Sequence, residues 1–577
     1  MAASNASSKT AGDGDNRMSG AEAMVNLLAG HGVRHIFGLC GDTSLPFYDA
    51  LHRLNHGMTH ILTRDERHAA YMADGYARVS GRVGVCEGPS GGGATYILPG
   101  LVEANESSVP VLAITTDVAT TSAGRFPLTE LDQAALMAPL TKWNAVLDNP
   151  ETLPRQVRAA FRAMTAGRPG AAHLAFPFDI QKAPVASEDV WADAADGVYP
   201  SHRAAPDPAA IEAALNLLAG CRAPLVICGG GVVLAGAEAV LQQFAEALGL
   251  PVATTISGKG SLAETHPLAL GVVGSNGGTA PTRSVVESSD AIIFIGCRAG
   301  SVTTERWRCP AVGTPIIHID ADPLVPAASY PTEVAIIADA RLTLEALVKS
   351  VTTDPQRFSN GFNGVLRVAA ARAEKAALFA PLAASTETPI RPERVLAVLN
   401  PLLADDAVVV ADPGTPCPYF SAWHDVRRPG RQYFSNRAHG ALGYALAAAM
   451  GAQIGRPNAQ VVAALGDGSF GFSVGELETL VRLNLPLTVL VFSNAVYGWI
   501  KAGQKSGFDE RYFSVDFSRT DHAAVAAAYG LRSWRVEQPG ELEASLRAAL
   551  SHDGPALVDI ISQPLQEAAA PVSEWVA

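Results

Sequence analysis

Short apolar runs alternate with amphipathic stretches along the first third of the chain. The runs are too short for buried helices and are therefore predicted to be strands, whereas the stretches carry apolar residues at helical spacing. Predicted strands are residues 35–39, 60–63, 84–87, 109–115 and 173–177, and predicted helices are residues 21–31, 47–54, 66–79 and 95–107. Such alternation is typical of a parallel sheet covered by helices on both faces.

The same pattern recurs twice further along the chain. Apolar runs predict strands of a second sheet at residues 224–228, 291–295 and 316–319, and of a third sheet at residues 408–411, 461–465 and 485–492. A Pro-rich stretch at residues 204–208 and a polar, Ala-rich connector at residues 354–392 separate them. We predict three consecutive doubly wound α/β domains, at residues 18–185, 205–350 and 385–570, after a disordered polar segment of residues 1–17.

Composition limits the partners of the chain. Of its 577 residues, 48% are hydrophobic and 17% are charged, and the formal net charge is −13. This acidic balance argues against nucleic acid or an anionic membrane surface, because both select basic patches. No uncharged apolar run is long enough to span a bilayer, and the seven cysteines include no C-x-x-C pair. We therefore predict a cytoplasmic protein with free thiols that acts on a small organic molecule.

Candidate chemistry is concentrated in residues 461–499. Two apolar runs there predict neighbouring parallel strands joined by a helix, so Asp467 and Asn494 both follow the carboxyl ends of strands. A carboxylate and an amide oxygen at one sheet edge suit a hard cation such as Mg²⁺, which leaves coordination positions for phosphate. Gly468 allows the backbone to approach a ligand closely. Gly-Asp-Gly by itself is more typical of an ordinary turn.

A further carboxylate, Glu66, begins the predicted helix that contains the A-D-G-Y-A-R sequence of residues 73–78. The helix dipole alone explains most acidic residues in a first turn. Together with Gly-Asp-Gly and Asn494, however, this motif resembles the signature of the thiamine diphosphate-dependent enzymes. The resemblance covers residues 18–565 and extends to the acetolactate synthase-like group. It implies a pyrimidine-binding domain, a middle domain and a diphosphate-binding domain, in that order.

The resemblance also implies roles for particular residues. Glu66 would bind N1′ of the aminopyrimidine and stabilise the tautomer that removes the C2 proton of the thiazolium, which gives the ylide. Asp467, Asn494 and the backbone carbonyl of Val496 would bind Mg²⁺. Leu442 would wedge between the two rings of the cofactor. The residues implied for cofactor binding are Glu66, Gly414, Thr415, Gly440, Leu442, Asp467, Gly468, Ser469, Asn494 and Val496.

The chain departs from the acetolactate synthase pattern on the substrate side. Leu128-Thr129 replaces a Phe-Gln pair, Val302 replaces the arginine that helps to grip the acceptor oxo acid, and Gly503 replaces the tryptophan that sets acceptor preference. The resemblance also implies FAD in the middle domain, although the departure at Val302 argues against it. These differences leave the substrate open.

The resulting hypothesis is a thiamine diphosphate- and Mg²⁺-dependent lyase or transferase. It would act at the carbonyl of a 2-oxo acid, by decarboxylation and carboligation through ylide and enamine intermediates. Two alternatives stay open: an enzyme of the 2-hydroxyacyl-CoA lyase or oxalyl-CoA decarboxylase type, and a non-catalytic homologue with a regulatory or partner role. In the family, the catalytic glutamate and the metal ligands meet across a subunit interface, so the resemblance implies a homodimer or homotetramer.

Overall fold

The computed structural model describes residues 17–358, 361–568 and 570–573. All but the last residue of the segment predicted to be disordered therefore lies outside the described residues. That last residue, Arg17, belongs to a short strand, β1 (Arg17–Ser19), which pairs with the antiparallel strand β8 (Pro184–Ala186) at the end of the first domain. The pairing brings the start of the first domain next to its end.

The first sheet has six parallel strands in the order β3-β2-β4-β5-β7-β6. Its strands are β2 (His35–Gly38), β3 (Thr59–Leu62), β4 (Gly84–Gly88), β5 (Val111–Asp117), β6 (Trp143–Val146) and β7 (Ala172–Pro177). Its helices are α1 (Gly20–Gly30), α2 (Leu45–Arg53), α3 (Glu66–Ser80), α4 (Gly92–Tyr96), α5 (Leu98–Glu106), α6 (Gln133–Met137), α7 (Leu153–Thr165) and α8 (Phe178–Lys182).

The second sheet also has six parallel strands, in the order β11-β10-β9-β12-β13-β14. Its strands are β9 (Leu225–Cys228), β10 (Val252–Thr254), β11 (Ala269–Val272), β12 (Ile292–Ile295), β13 (Ile316–Asp320) and β14 (Val334–Ile337). Its helices are α9 (Pro208–Ala219), α10 (Gly230–Leu234), α11 (Glu238–Leu248), α12 (Ala280–Glu287) and α13 (Ala340–Thr353).

The third sheet has six parallel strands in the order β16-β15-β17-β18-β20-β19. Its strands are β15 (Val408–Ala411), β16 (Tyr433–Ser435), β17 (Val461–Gly466), β18 (Leu487–Ser493), β19 (Arg532–Val536) and β20 (Ala556–Ile561). The helices from the connector onward are α14 (Gly364–Ala383), α15 (Pro392–Leu399), α16 (Pro416–Trp423), α17 (Tyr444–Gly455), α18 (Asp467–Ser473), α19 (Glu476–Arg482), α20 (Gly498–Gly507), α21 (His522–Tyr529) and α22 (Leu542–Leu550).

The predicted fold class is confirmed, because three parallel α/β sheets follow one another along the chain. The domain limits stay a prediction. The sequence analysis predicts no secondary structure for the connector at residues 354–392, which contains the helix α14; its Ala-rich composition favours helix formation. The single helix predicted at residues 95–107 is divided into α4 and α5, because Pro99 in the first turn of α5 lacks an N–H group and cannot continue α4.

The first and third domains pack against each other through α3 and α17. A buried hydrophobic cluster continues across both helices, and the rings of Tyr71 and Tyr444 meet edge to face with centroids 5.1 Å apart. An added Cβ at Gly75 would overlap the carbonyl oxygen of Ala448, and one at Gly451 would overlap the carbonyl oxygen of Met72. Glycine at these two crossings therefore allows the helix backbones to approach closely.

We expect Gly75→Ala to destabilise the protein by about 2–3 kcal/mol, because the added methyl group overpacks a buried helix crossing. The matched control is Gly471→Ala in α18, where an added Cβ meets no atom within 4 Å. Urea denaturation of both variants measures the difference. Equal free energies of unfolding for the two variants would show that the α3–α17 contact relaxes without cost.

Candidate functional site

Asp467 lies at the carboxyl end of β17 and begins α18. Its Oδ2 accepts hydrogen bonds from the backbone N–H groups of Asn494 at 2.8 Å and Ala495 at 2.6 Å, and its Oδ1 accepts from the N–H of Gly468 at 2.8 Å. Burial raises the pKa of Asp467 above its ordinary value, although these three N–H groups act in the opposite direction. The carboxylate thus fixes the backbone that follows β18.

Asn494 follows β18 and contacts the residue that precedes α16. Its Nδ2 lies 3.5 Å from the Oγ1 of Thr415, a buried residue just beyond β15. β15, β17 and β18 are adjacent in the sheet, so three strands deliver Thr415, Asp467 and Asn494 to one edge. The structure therefore brings these sequence-predicted residues together, as expected from parallel strands. Their roles in ligand binding stay a prediction.

A cavity of about 190 Å³ opens at this edge. Asp467, Asn494 and Val496 all line it. Val496 is held between two backbone hydrogen bonds, from Tyr497 N–H to the Val515 carbonyl at 2.9 Å and from Phe517 N–H to the Ala495 carbonyl at 3.0 Å. The three candidate ligands offer a carboxylate, an amide oxygen and a backbone carbonyl, which are hard oxygen donors of the kind that Mg²⁺ binds.

Ser469 connects α18 to the loop that carries Gly440 and Leu442. The N–H of Gly443 donates to the Ser469 Oγ at 2.7 Å, and the Ser469 hydroxyl donates in turn to Asp412. Gly440 and Gly443 both have positive φ, at +73° and +86°, so the loop needs glycine at these positions. Leu442, between them, is half-buried. Gly414, in the turn after β15, also has positive φ.

Asp412 is a site residue that the sequence analysis missed. It follows β15, is fully buried and accepts from the N–H of Ala445 at 2.8 Å as well as from Ser469. Burial raises the pKa of Asp412 to about 7. The sequence feature that could have identified Asp412 is its position, directly after an apolar strand and before Pro413-Gly414. Through these hydrogen bonds Asp412 connects the end of β15 with α17 and α18, next in sequence to the loop of Gly440 and Leu442.

Ser493, His522 and Asp559 form a second buried cluster beside the cavity. The Ser493 Oγ donates to Asp559 and lies 2.9 Å from the Nδ1 of His522, while the backbone N–H of His522 donates to Asp559 at 3.1 Å. Burial alone would raise the pKa of Asp559, but hydrogen bonds from His522 and Ser493 bring it below its ordinary value. The Ser493 hydroxyl donates to the carboxylate, and the Nδ1 of His522 also lies 3.5 Å from the Asp559 Oδ1. The serine proton is therefore not held toward the imidazole, as a nucleophilic triad requires.

Glu66 lies at the first position of α3 and is 7% exposed. Burial raises its pKa, and the neighbouring carboxylates of Asp65 and Glu87 add to the effect. Among the described residues, no other side chain donates a hydrogen bond to it. Glu66 does not line the cavity of Asp467. The segment just before α3 contacts the third domain at the start of α19, where the N–H of Arg64 donates to the Glu476 side chain at 2.9 Å.

A second cavity, about 380 Å³, lies where the second domain meets the other two. Its lining includes the turn at residues 229–231, Arg298, Asp320 and Arg437. Burial raises the pKa of Asp320 to about 6. Val302, one of the substrate-side departures, lies in this wall. A Gly-rich turn after one strand and a carboxylate at the end of a nearby strand are typical of nucleotide-binding sheets.

The other two substrate-side departures lie in the first and third domains. Thr129 lies against Gly91, and its Oγ1 is 2.6 Å from the Oγ of Ser90 at the carboxyl edge of the first sheet. Gly503 lies within α20 of the third domain. The three departures are therefore spread over three domains of one chain. In the part of the chain that the structure describes, no helix is long and apolar enough to cross a membrane; the cytoplasmic location stays a prediction.

Comparisons with known proteins agree with this architecture. Family models described as "Thiamine pyrophosphate enzyme" match in three parts: the N-terminal TPP binding domain at residues 18–136, the central domain at residues 211–347, and the C-terminal TPP binding domain at residues 414–560. Each match falls within the part of the chain that forms the first, second or third sheet, respectively. The chain therefore belongs to the thiamine pyrophosphate enzymes and is a thiamine diphosphate-dependent enzyme.

Within that family, the chain is acetolactate synthase-like. It is 33% identical to the probable acetolactate synthase large subunit of Methanococcus aeolicus, covering 95% of this chain and 92% of that one. It is 32% identical to the acetolactate synthase isozyme 2 large subunit of Escherichia coli, covering 95% and 96%. It is also 34% identical to a probable 2-ketoarginine decarboxylase of Pseudomonas aeruginosa, covering 94% of each. Relatives named for different activities thus have similar identity to this chain.

Proposed function

We propose that this enzyme is a Mg²⁺-dependent lyase or transferase that uses thiamine diphosphate to cleave or form a bond beside the carbonyl of a 2-oxo acid. The observation that carries the proposal is the convergence of Thr415, Asp467 and Asn494 from three adjacent strands, beside the backbone of Val496. The relatives named as acetolactate synthases and as a 2-ketoarginine decarboxylase support a 2-oxo acid as the substrate class.

The residues at this edge fit a magnesium-bound diphosphate. Asp467, the Asn494 side chain and the Val496 carbonyl would supply three oxygen ligands, and Mg²⁺ would keep its other positions for phosphate oxygens. Gly468 packs against the Tyr497 ring, where an added Cβ would lie 2.8 Å from the ring, so this turn leaves no room for a side chain. Ser469 and Gly414-Thr415 would contact the diphosphate from the two flanking turns.

The other end of the cofactor would be bound by a second copy of the chain. Glu66 does not line the Asp467 cavity of its own chain, so we propose that it completes the site of a partner subunit. Large apolar side chains are exposed in the first and third domains, including Phe126 at 94%, Leu128 at 87% and Phe513 at 82%. Such exposure is typical of surfaces that are covered in an oligomer. A homodimer is then the smallest active unit, and a tetramer is the larger alternative.

Bound thiamine diphosphate would supply a nucleophilic carbon at C2 and an electron sink for decarboxylation. Protein residues would prepare it for this chemistry. Glu66 would hold a proton at N1′ of the aminopyrimidine, and its burial suits that task because a buried carboxyl group keeps its proton to higher pH. The Gly440 carbonyl would accept from the 4′-amino group. Leu442, which is half-buried on the same loop, would separate the two rings.

The test is a panel of 2-oxo acids, followed for carbon dioxide release and product mass. We expect release from at least one member of the panel, only in the presence of both thiamine diphosphate and Mg²⁺, with a chelator-treated sample as control. Pyruvate converted to acetolactate would show that Thr129, Val302 and Gly503 do not prevent that reaction. No turnover with any 2-oxo acid, together with no thiamine diphosphate binding in calorimetry, would favour a non-catalytic role.

We further propose that the cavity beside Asp320 takes a nucleotide; the family suggests FAD, and Val302 in the cavity wall is the departure that argues for a different nucleotide. The turn at residues 229–231 and the Asp320 carboxylate would face the phosphates and a ribose, respectively. Close approach at this turn depends on glycine, since an added Cβ at Gly231 would lie 2.6 Å from the Cα of Gly296. The visible absorption spectrum of the purified protein distinguishes a bound flavin from a colourless nucleotide.

A further inference from the structure

A buried carboxylate of the first domain, Glu103 on α5, contacts the loop of residues 436–443 in the third domain. Its Oε2 accepts hydrogen bonds from two successive backbone N–H groups of that loop, those of His439 at 2.7 Å and Ala438 at 3.2 Å. Glu103 has no exposed surface. The same loop carries Gly440 and Leu442, so this carboxylate lies directly behind two residues of the proposed cofactor site, in which it has no role so far.

The other oxygen of Glu103 belongs to a buried polar network. Its Oε1 accepts from the Arg78 Nη2 at 3.2 Å and from the Ser107 hydroxyl at 2.6 Å. The Nε of Arg78 donates to Asp74 at 2.7 Å, and Asp74 also accepts from the hydroxyl of Tyr444. Because a buried network with charged partners restrains its members, the Glu103 carboxylate has a fixed position. Tyr444 begins α17, directly after the loop, so the first domain contacts both ends of the loop.

The two halves of the loop are held differently. In the second half, the N–H of Gly443 donates to the Ser469 Oγ at 2.7 Å. The first half ends at His439 and Gly440, which are both exposed, and Gly440 has a φ of +73°. An exposed segment loses conformational entropy when it adopts one backbone conformation, and it needs favourable contacts to offset that loss. The paired hydrogen bonds to Glu103 supply such contacts next to Gly440.

We propose that Glu103 is a positioning residue for thiamine diphosphate. Through the N–H groups of Ala438 and His439, it fixes the backbone that presents the Gly440 carbonyl to the 4′-amino group and Leu442 to the two rings. The inference rests on the proposed function, which assigns those tasks to Gly440 and Leu442. Glu103 acts without touching the cofactor, and its removal should slow the reaction because small displacements of orienting groups reduce rates strongly.

Glu103→Gln tests the contact, because glutamine keeps the size of the side chain and removes one acceptor oxygen. The remaining carbonyl oxygen should stay with the charged Arg78, so the NH₂ group faces the loop and its N–H groups lose their acceptor. Amide hydrogen exchange of the cofactor-free protein is followed by mass spectrometry. We expect exchange at Ala438 and His439 to be about tenfold faster than in the wild type or more, with exchange in β15 unchanged. Equal exchange of the loop in both proteins would overturn the inference.

A second measurement uses the holoenzyme at saturating thiamine diphosphate and Mg²⁺. C2 proton exchange in Glu103→Gln should fall by about tenfold or more. The Kd of thiamine diphosphate should change less, because the substitution leaves the edge at Asp467 unaltered. The matched control is Leu101→Ala, which removes buried volume from the same helix without removing a hydrogen bond to the loop. It should lower thermal stability and leave both amide exchange of the loop and C2 exchange unchanged.

The remaining outcomes separate the inference from the proposed function. Unchanged C2 exchange in Glu103→Gln, despite faster amide exchange of the loop, would overturn the inference alone. Equal losses of C2 exchange in Glu103→Gln and Leu101→Ala would indicate a general loss of stability and would overturn it as well. If the wild type binds the cofactor without accelerating C2 exchange, the proposed function fails, and that result is distinguishable because it involves no variant.

Discussion

Replacing Glu66 by glutamine should reduce C2 proton exchange of bound thiamine diphosphate by about 10²–10⁴-fold, the range in which a positioned acid or base contributes to proton transfer. Glutamine has nearly the same shape as glutamate but cannot supply a proton from a carboxyl group. Glu66 has a raised pKa and no described side chain that donates to it, so its carboxyl group is available to a ligand. The loss should therefore appear in exchange and turnover, and the fold should be retained.

Exchange is measured by NMR after the holoenzyme has been mixed with D₂O and quenched in acid. The control is Glu188→Gln, the same chemical change at an exposed glutamate just beyond the first domain. Circular dichroism and urea denaturation establish that both variants are folded. Exchange at the wild-type rate in Glu66→Gln would exclude Glu66 as the residue at N1′ and, with it, the proposed arrangement of the site.

The sequence predicted some parts of this structure well, and the reasons are physical. β15, β17 and β18 are completely or almost completely buried, so they appear as continuous apolar runs that end at Gly, Asp or Asn. Parallel pairing then requires Asp467 and Asn494 to emerge at the same edge, which the structure bears out. β6 was missed because its residues are only half-buried at the edge of the first sheet, where the apolar signal is weak.

Other features depend on contacts that no local pattern contains. α18 begins at Asp467, although its Gly-rich sequence has low helix propensity and predicted a turn. Glu87 is a single charged residue within an apolar strand, and its partners come from positions 39 and 27 residues earlier in the chain. Asp412 acquires its importance from Ser469 and Ala445, which lie on other elements. Such buried polar groups are recognised only when tertiary structure supplies their partners.

Replacing Asp467 by asparagine should weaken thiamine diphosphate binding by about 100-fold or more. Loss of a metal ligand should reduce affinity at least as much as loss of a residue that hydrogen-bonds to such a ligand. The substitution removes a negative charge from the metal site. It also replaces one carboxylate oxygen by an NH₂ group, which cannot accept the hydrogen bonds that this oxygen now receives, either from the N–H of Gly468 or from those of Asn494 and Ala495. Calorimetric titration with thiamine diphosphate and excess Mg²⁺ measures the loss.

Asp516→Asn is the matched control, since Asp516 lines the same cavity but is largely exposed and pairs with Lys501. It should bind the cofactor with near wild-type affinity. A weakening of the same size in both variants would indicate a general effect of charge in the cavity and would argue against Asp467 as a metal ligand.

The two variants together test whether the site lies between subunits. A dimer of one Glu66→Gln chain and one Asp467→Asn chain would contain one site with both defects and one with neither, if each site takes Glu66 from one subunit and Asp467 from the other. Equal amounts of the two inactive variants, unfolded and refolded together, should then regain about a quarter of wild-type activity, since half of the random dimers are hybrids and each has one intact site. A site built within one chain would leave every chain defective, and the mixture would stay inactive.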